Sequence, residues 1–401
     1  MQSKLYFKNL FILSSIFYLL LIVTNQYHSL DVSTTMGFFD QSAYLKIINA
    51  APYLPSEDIF SQQAPRFFIP YMIGIICEYM QIKNHLYLVL ICINIFVDLM
   101  IIKLFLEITL HYNIKRNINL VLVSALIFNA YNFRATLYAP LMLNDIIFTY
   151  GLLLVVSFFV KKKVNHFYIG LILCCLTRQT SLVLNIIFFI MIFNKIFFKS
   201  NFKQNIFING IIINVLIFFV LKNISSSFSD TSMINLYYSI SRLFALNYTF
   251  LDLLIVIARM ILANLFLITL SIVFILKYFF YKKRINFDLI IILIIGLSIW
   301  IQPILGSPSF TGNNISRLTI ISFPVFLIFF SIIFKDLQIK LLNTGIIIML
   351  IFLSGMHHNY TYFFNLFIEF KNHHFVIVSF FSHTLIVILF LKSYGNYIQK
   401  K

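Results

Sequence analysis

Apolar runs long enough to cross a membrane recur from one end of this 401-residue chain to the other, with clusters of lysine between them. Few features restrict a fold more. In hydrocarbon every backbone N–H and C=O must be satisfied from within, which leaves helices or a closed barrel. Runs of roughly 20 apolar residues have the length of a helix crossing a core about 30 Å thick. With 61% hydrophobic and only 11% charged residues, the chain lies far from the roughly 25% charged residues of a soluble domain. The expected fold is all-α and polytopic, one integral-membrane domain over residues 1–401, because no polar segment could bury a core of its own. The net charge of +17 punctuates apolar spans, a pattern of orientation in a bilayer rather than of nucleic-acid binding.

Loops rich in lysine stay in the cytoplasm. The clusters are Lys115-Arg116, Lys161 to Lys163, Lys195/Lys199/Lys203, Lys282 to Arg284, Lys335/Lys340 and Lys400-Lys401. Between them the sequence predicts about twelve spans, near 8–24, 85–107, 118–133, 141–160, 166–176, 180–196, 205–222, 252–277, 286–304, 318–335, 341–356 and 375–392, with both termini cytoplasmic. Lys4 and Lys8 precede the first span and no small-residue cleavage site follows it, the pattern of an uncleaved signal anchor. Residues 25–84 then form a first outer loop with juxtamembrane helices, and 85–392 the remaining bundle. Within that loop, 67–82 is apolar enough for a span, but counting it as one would put Lys115-Arg116 outside; a juxtamembrane or re-entrant helix fits the charges. Residues 166–196 read as a hairpin with Arg178 at its outer tip.

The arginines depart from this pattern. Of eight, only Arg116 and Arg284 fall in cytoplasmic clusters; Arg66, Arg134, Arg178, Arg242 and Arg317 fall at outer positions and Arg259 within a span. Lysine does the reverse, with only Lys46, Lys83, Lys222 and Lys371 of 22 on the outer side. A guanidinium binds phosphate bidentately and keeps its charge in poor solvent. Several at one membrane face suit an anionic lipid headgroup; the plainer account is pairing with loop acids. Acids gather there too, as Asp31, Asp40, Glu57 and Asp58.

In order along the chain, "FFDQSAYLKIINA", "APRFFIPYMIGII", "PLMLNDIIFTYGLLL", "CCLTRQTSLVL" and "NISRLTIISFPVFLI" resemble integral-membrane glycosyltransferases of the GT-C class. The resemblance covers most of the chain through short motifs. It implies transfer of a sugar from a polyprenyl-phosphate carrier to a glycan, lipid or protein acceptor on the non-cytoplasmic face, and a bacterial plasma-membrane location. Asp40 matches the first-loop acid and is the expected general base, with Asp58 a second acid. Arg66 with Pro70 matches a loop-closing pair, Asp145 an acid at an outer span start, and Arg178 the hairpin arginine. Arg66, Arg178 and Arg317 would meet the charge growing on the leaving phosphate. Gln41 follows Asp40 where some of these families carry a second acid, so a divalent cation stays open and no other cofactor is implied.

Structural readings stand beside these. Asp40 suits a helix N-terminus, Glu57 and Asp58 the first turn of another helix, and Asp145 a solvated span end. Asp98, Lys103 and Glu107 share a helix at spacings that let them pair. His357-His358 and His373-His374 are poorly placed for one metal ion, and the aromatic residues between them suit an interfacial belt. The four cysteines read as buried hydrophobes, and isolated asparagines, including four glycosylation-type triplets, are discounted because the chain uses Asn heavily. Rival functions are a polymerase or ligase of carrier-linked oligosaccharides, a flippase or transporter, and a structural subunit.

Overall fold

The computed structural model describes residues 2–25, 27, 30, 38–56, 59–60, 62–129, 132–197, 203–229, 254, 256–257, 260, 287–302, 315–333, 335, 339–354 and 381–393. Among them the structure is helical and contains no strand. The helices are α1 (Gln2–Val23), α2 (Phe38–Ala50), α3 (Phe68–Tyr79), α4 (Leu86–His111), α5 (Arg116–Phe128), α6 (Phe133–Tyr138), α7 (Leu143–Lys161), α8 (Val164–Thr177), α9 (Leu184–Phe197) and α10 (Gln204–Ser225). Later helices run Phe287–Trp300, Ile315–Ile320, Phe323–Ile333, Leu341–Ser354 and Phe381–Ser393. Among the described residues, five stretches are long and apolar enough to cross a membrane: Leu5–Val23, Lys83–His111, Arg116–Tyr138, Pro140–Lys161 and Gln204–Ser225. Apolar helices of this kind suit a lipid bilayer.

The helix carrying Asp145 lies at the centre. In α7, nearly every residue from Leu143 to Val160 is buried, as expected of a helix apolar on all sides. By contrast only 22% of the α1 and α10 windows is buried, against 89% for Pro140–Lys161, so those two form the periphery.

Two close approaches set the frame around α7. Gly151 and Gly170 face each other where α7 crosses α8: a Cβ on Gly151 would stand 2.7 Å from the Gly170 carbonyl oxygen and 3.0 Å from the Cys174 sulfur. Backbone therefore meets backbone, as small residues permit. Likewise Gly74 of α3 lies against the Ile48 carbonyl of α2, which packs the two helices of the first loop together. Lys83 completes this unit. Its ammonium pairs with Glu78 at 2.6 Å and reaches the carbonyl oxygens of Asn49 and Ala51 at 3.4 and 3.3 Å, capping the C-terminal end of α2. A lysine on the side assigned to arginine thus has a structural use.

Three expectations are corrected. Residues 318–335 do not form one continuous helix: it breaks after Ile320 and resumes at Phe323. The Pro324 ring would clash with the Ile320 carbonyl in a continuous helix, whereas the first turn tolerates it; Ser322 Oγ donates to the Thr319 carbonyl at 2.7 Å in the gap. Asp98, Lys103 and Glu107 do not pair with one another. Tyr18 donates to Asp98 at 2.6 Å, Lys161 pairs with Glu107 at 2.8 Å, and Lys103 is exposed. Asp145 is not a solvated span end, being only 8% exposed.

Candidate functional site

Asp40 lies in the first turn of α2, where the helix dipole favours a carboxylate. Tyr44 follows one turn later on the same face and is fully buried. The chain then returns through a short 3-10 turn, Ala64–Arg66, in which Pro65 occupies an early position that needs no N–H. This turn brings two side chains to one oxygen of Asp40. Gln63 Nε2 donates to Oδ1 at 2.7 Å, and Arg66 Nη1 stands 4.0 Å from the same atom.

The loop is fastened to α7 by Asn144, whose Nδ2 donates to the Arg66 carbonyl at 3.1 Å. Beside it, Asp145 Oδ1 lies 3.0 Å from Nη1 of Arg178. The α7–α8 crossing explains this pairing. Asp145 precedes Gly151 by six residues and Arg178 follows Gly170 by eight, about 9 and 12 Å along antiparallel axes, so both reach the same end of the hairpin. Gln179 Nε2 also approaches the Gln62 carbonyl at 3.5 Å. The end of α10 closes the flank: Ile59 N–H donates to the Phe228 carbonyl at 2.9 Å, and the Phe67 and Phe228 rings meet at 5.6 Å.

Arg178 interrupts the helical hairpin, since α8 ends at Thr177 and a 3-10 segment, Gln179–Val183, leads into α9. Such a break is tolerated at membrane depth only where protein covers the freed groups. Asn214 of α10 does so. Its Nδ2 donates to the Ser181 carbonyl at 2.8 Å and to Asn185 Oδ1 at 3.0 Å, while its Oδ1 accepts from Ser181 Oγ and Cys175 Sγ, each at 3.1 Å.

Electrostatically the cluster is a set of matched charges. Burial opposes the charge on Arg66, but Tyr44, Asp40 and Asp145 around it outweigh that effect and raise its pKa above the ordinary guanidinium value. Burial also raises the Tyr44 pKa, so its hydroxyl keeps its proton and remains a potential donor. The hydroxyl lies close enough to Arg66 and Asn144 for both to act on it, which offsets part of the effect of burial.

Four of the residues singled out from the sequence, Asp40, Arg66, Asp145 and Arg178, therefore belong to one connected cluster. Asp58 lies outside the described residues, as do Asp31, Glu57, Arg242, Arg259, both histidine pairs and the side chain of Arg317. Arg134 goes elsewhere: it is buried against α1, donating to the Thr24 carbonyl at 3.1 Å and Thr24 Oγ1 at 3.3 Å. Among the described residues no three His, Cys, Asp or Glu side chains converge as a metal-holding group. Sequence reasoning missed Tyr44, Gln63, Asn144 and Asn214. Tyr44 was detectable from its one-turn spacing to Asp40, and Asn144 from its adjacency to Asp145.

No protein-family model matches the chain, and no curated protein or solved structure shows significant similarity to it.

Proposed function

We propose that the chain is an integral-membrane glycosyltransferase of the GT-C type, with about twelve spans, both termini in the cytoplasm and its site facing outward from a bacterial plasma membrane. It takes a sugar from a polyprenyl-phosphate carrier and hands it to a glycan, lipid or protein acceptor. The observation that carries this reading is the gathering of Asp40, Arg66, Asp145 and Arg178 from distant stretches. In the reaction, the bond between the anomeric carbon and the phosphate oxygen breaks and one to the acceptor oxygen forms. The acceptor's proton passes to the Asp40 carboxylate. The leaving polyprenyl phosphate carries the departing electron pair, and the cationic groups of Arg66 and Arg178, with Arg317 as a further candidate, steady the charge growing on it, while Asp58 is a candidate second acid on the substrate. A divalent cation could share that task, which assays with and without chelator would reveal.

The decisive experiment is transfer from a radiolabelled polyprenyl-phosphate sugar in reconstituted membranes. Asp40→Asn should lower the rate by about 10²–10⁴-fold in a protein that still melts cooperatively. An unchanged rate refutes the assignment. A lipid-linked-sugar flippase is the second reading, favoured by Asp98, a buried acid on α4 held by Tyr18; it expects movement of the lipid without bond cleavage.

A further inference from the structure

Asp40 and Arg66 lie 4.0 Å apart, too far for a hydrogen bond to fix the direction of the guanidinium. The nearer partner of that carboxylate oxygen is Gln63, at 2.7 Å. Arg66 still has to be held, because an arginine side chain samples many rotamers and ordering it anew at each binding event costs free energy. The second ion pair of the cluster is different. Arg178 meets Asp145 at 3.0 Å with 2% of its side chain exposed, whereas 13% of the Arg66 side chain reaches the surface. Of these two guanidiniums, Arg66 is the more open and the less tightly clamped by a carboxylate.

Two buried neutral groups stand behind it. Asn144 of α7 donates through Nδ2 to the Arg66 carbonyl at 3.1 Å, which fixes the Arg66 backbone against the central helix. Tyr44, one turn beyond Asp40 on α2, brings its hydroxyl to the guanidinium and to Asn144. Tyr44 and Asn144 are each 1% exposed, so neither presents itself to a ligand; what they do for one is done through Arg66. A guanidinium only donates, and a phenol oxygen can accept. Because that acceptor carries no charge, it sets where the guanidinium points without neutralising it, as a carboxylate in close contact would. We infer that Tyr44 is a positioning residue: it holds the Arg66 guanidinium, charge intact, in the orientation that receives the phosphate of a lipid-tethered ligand. That this phosphate belongs to a carrier-linked sugar rests on the glycosyltransferase reading.

The test uses the full chain in phosphatidylcholine nanodiscs and three probes: a short-chain prenyl phosphate, the matching uncharged prenol and inorganic phosphate. Binding is read from ligand-induced shifts in thermal unfolding of the wild type, Tyr44→Phe, Arg66→Gln and the double variant. The wild type should bind the prenyl phosphate more tightly than either control. Tyr44→Phe removes one hydroxyl and should weaken binding of the prenyl phosphate by about tenfold, the scale of one well-placed hydrogen bond, while prenol binding stays the same. In the Arg66→Gln background the same substitution should have no further effect, because Tyr44 acts through Arg66. Four results each overturn the inference: equal affinity of Tyr44→Phe and wild type for the prenyl phosphate, additive losses in the double variant, inorganic phosphate bound by the wild type as tightly as the prenyl phosphate, or no binding of the prenyl phosphate at all. A Tyr44 that served only packing would lower the melting temperature and leave the ratio of prenyl phosphate to prenol binding untouched, the first of these results. Sugar transfer measured in parallel separates the two readings. Coupling of Tyr44 to Arg66 in binding, without transfer, removes the transferase and keeps the positioning role; transfer without that coupling does the opposite.

Discussion

Arg178 and Asp145 meet at 3.0 Å with 2% and 12% of their side chains exposed, so each is the other's means of staying charged away from water. Removing one partner of such a pair strands the other, at a cost of roughly 3 kcal/mol or more. Asp145→Asn should therefore lower thermal stability markedly. The double substitution Asp145→Asn with Arg178→Gln should be less damaging than the single one, because no isolated charge remains. A double-mutant cycle of melting temperatures in detergent checks this, and simple additivity would count against the pair.

The crossing of α7 and α8 offers a second test. A methyl group on Gly170 would stand 2.8 Å from the Leu154 Cβ and 2.9 Å from the Val155 nitrogen, whereas one on Gly345 meets nothing within 4 Å. Gly170→Ala should destabilise the protein by about 1–3 kcal/mol and Gly345→Ala should be neutral, as read from paired melting curves.

Gln63 donates to Asp40 at 2.7 Å, a contact that controls the base in the proposed reaction. Gln63→Glu replaces the donor by a second carboxylate and so favours the protonated acid. Activity depends on the ionised base; the acidic limb of the pH–rate profile should move to higher pH, with the plateau partly retained. A uniform loss at every pH would mark Gln63 as merely structural.

Asn214 holds four hydrogen bonds around the break at Ser181. Asn214→Leu leaves those groups unsatisfied, each worth about 1–3 kcal/mol if it stays buried. Hydrogen exchange should then rise over residues 178–185 before α8 itself is affected.

Much of the frame was legible from charge alone. The lysine clusters at 115–116, 161–163 and 195–203 fall where α4 gives way to α5, α7 to α8 and α9 to α10, and Arg178 stood out as a cation at the tip of a short hairpin. Tertiary pairing was less legible. Glu107 shares a helix with Lys103, yet its partner is Lys161 on α7, a choice made by packing and not by spacing. Asn144 and Asn214 were hidden by a chain rich in asparagine, where an isolated amide carries little signal until its neighbours are known. Pro324 did announce a break, which the continuous apolar run around it masked.

The brevity of α8 has a mechanical consequence. Its 14 residues span only about 21 Å, against a hydrocarbon layer of about 30 Å. If the hairpin's foot is anchored at one surface, its tip stops short of the other, and surrounding lipid must dip or leave the tip sunken. The Asp145–Arg178 pair is then held under a shallow dimple, below the level of the surrounding headgroups.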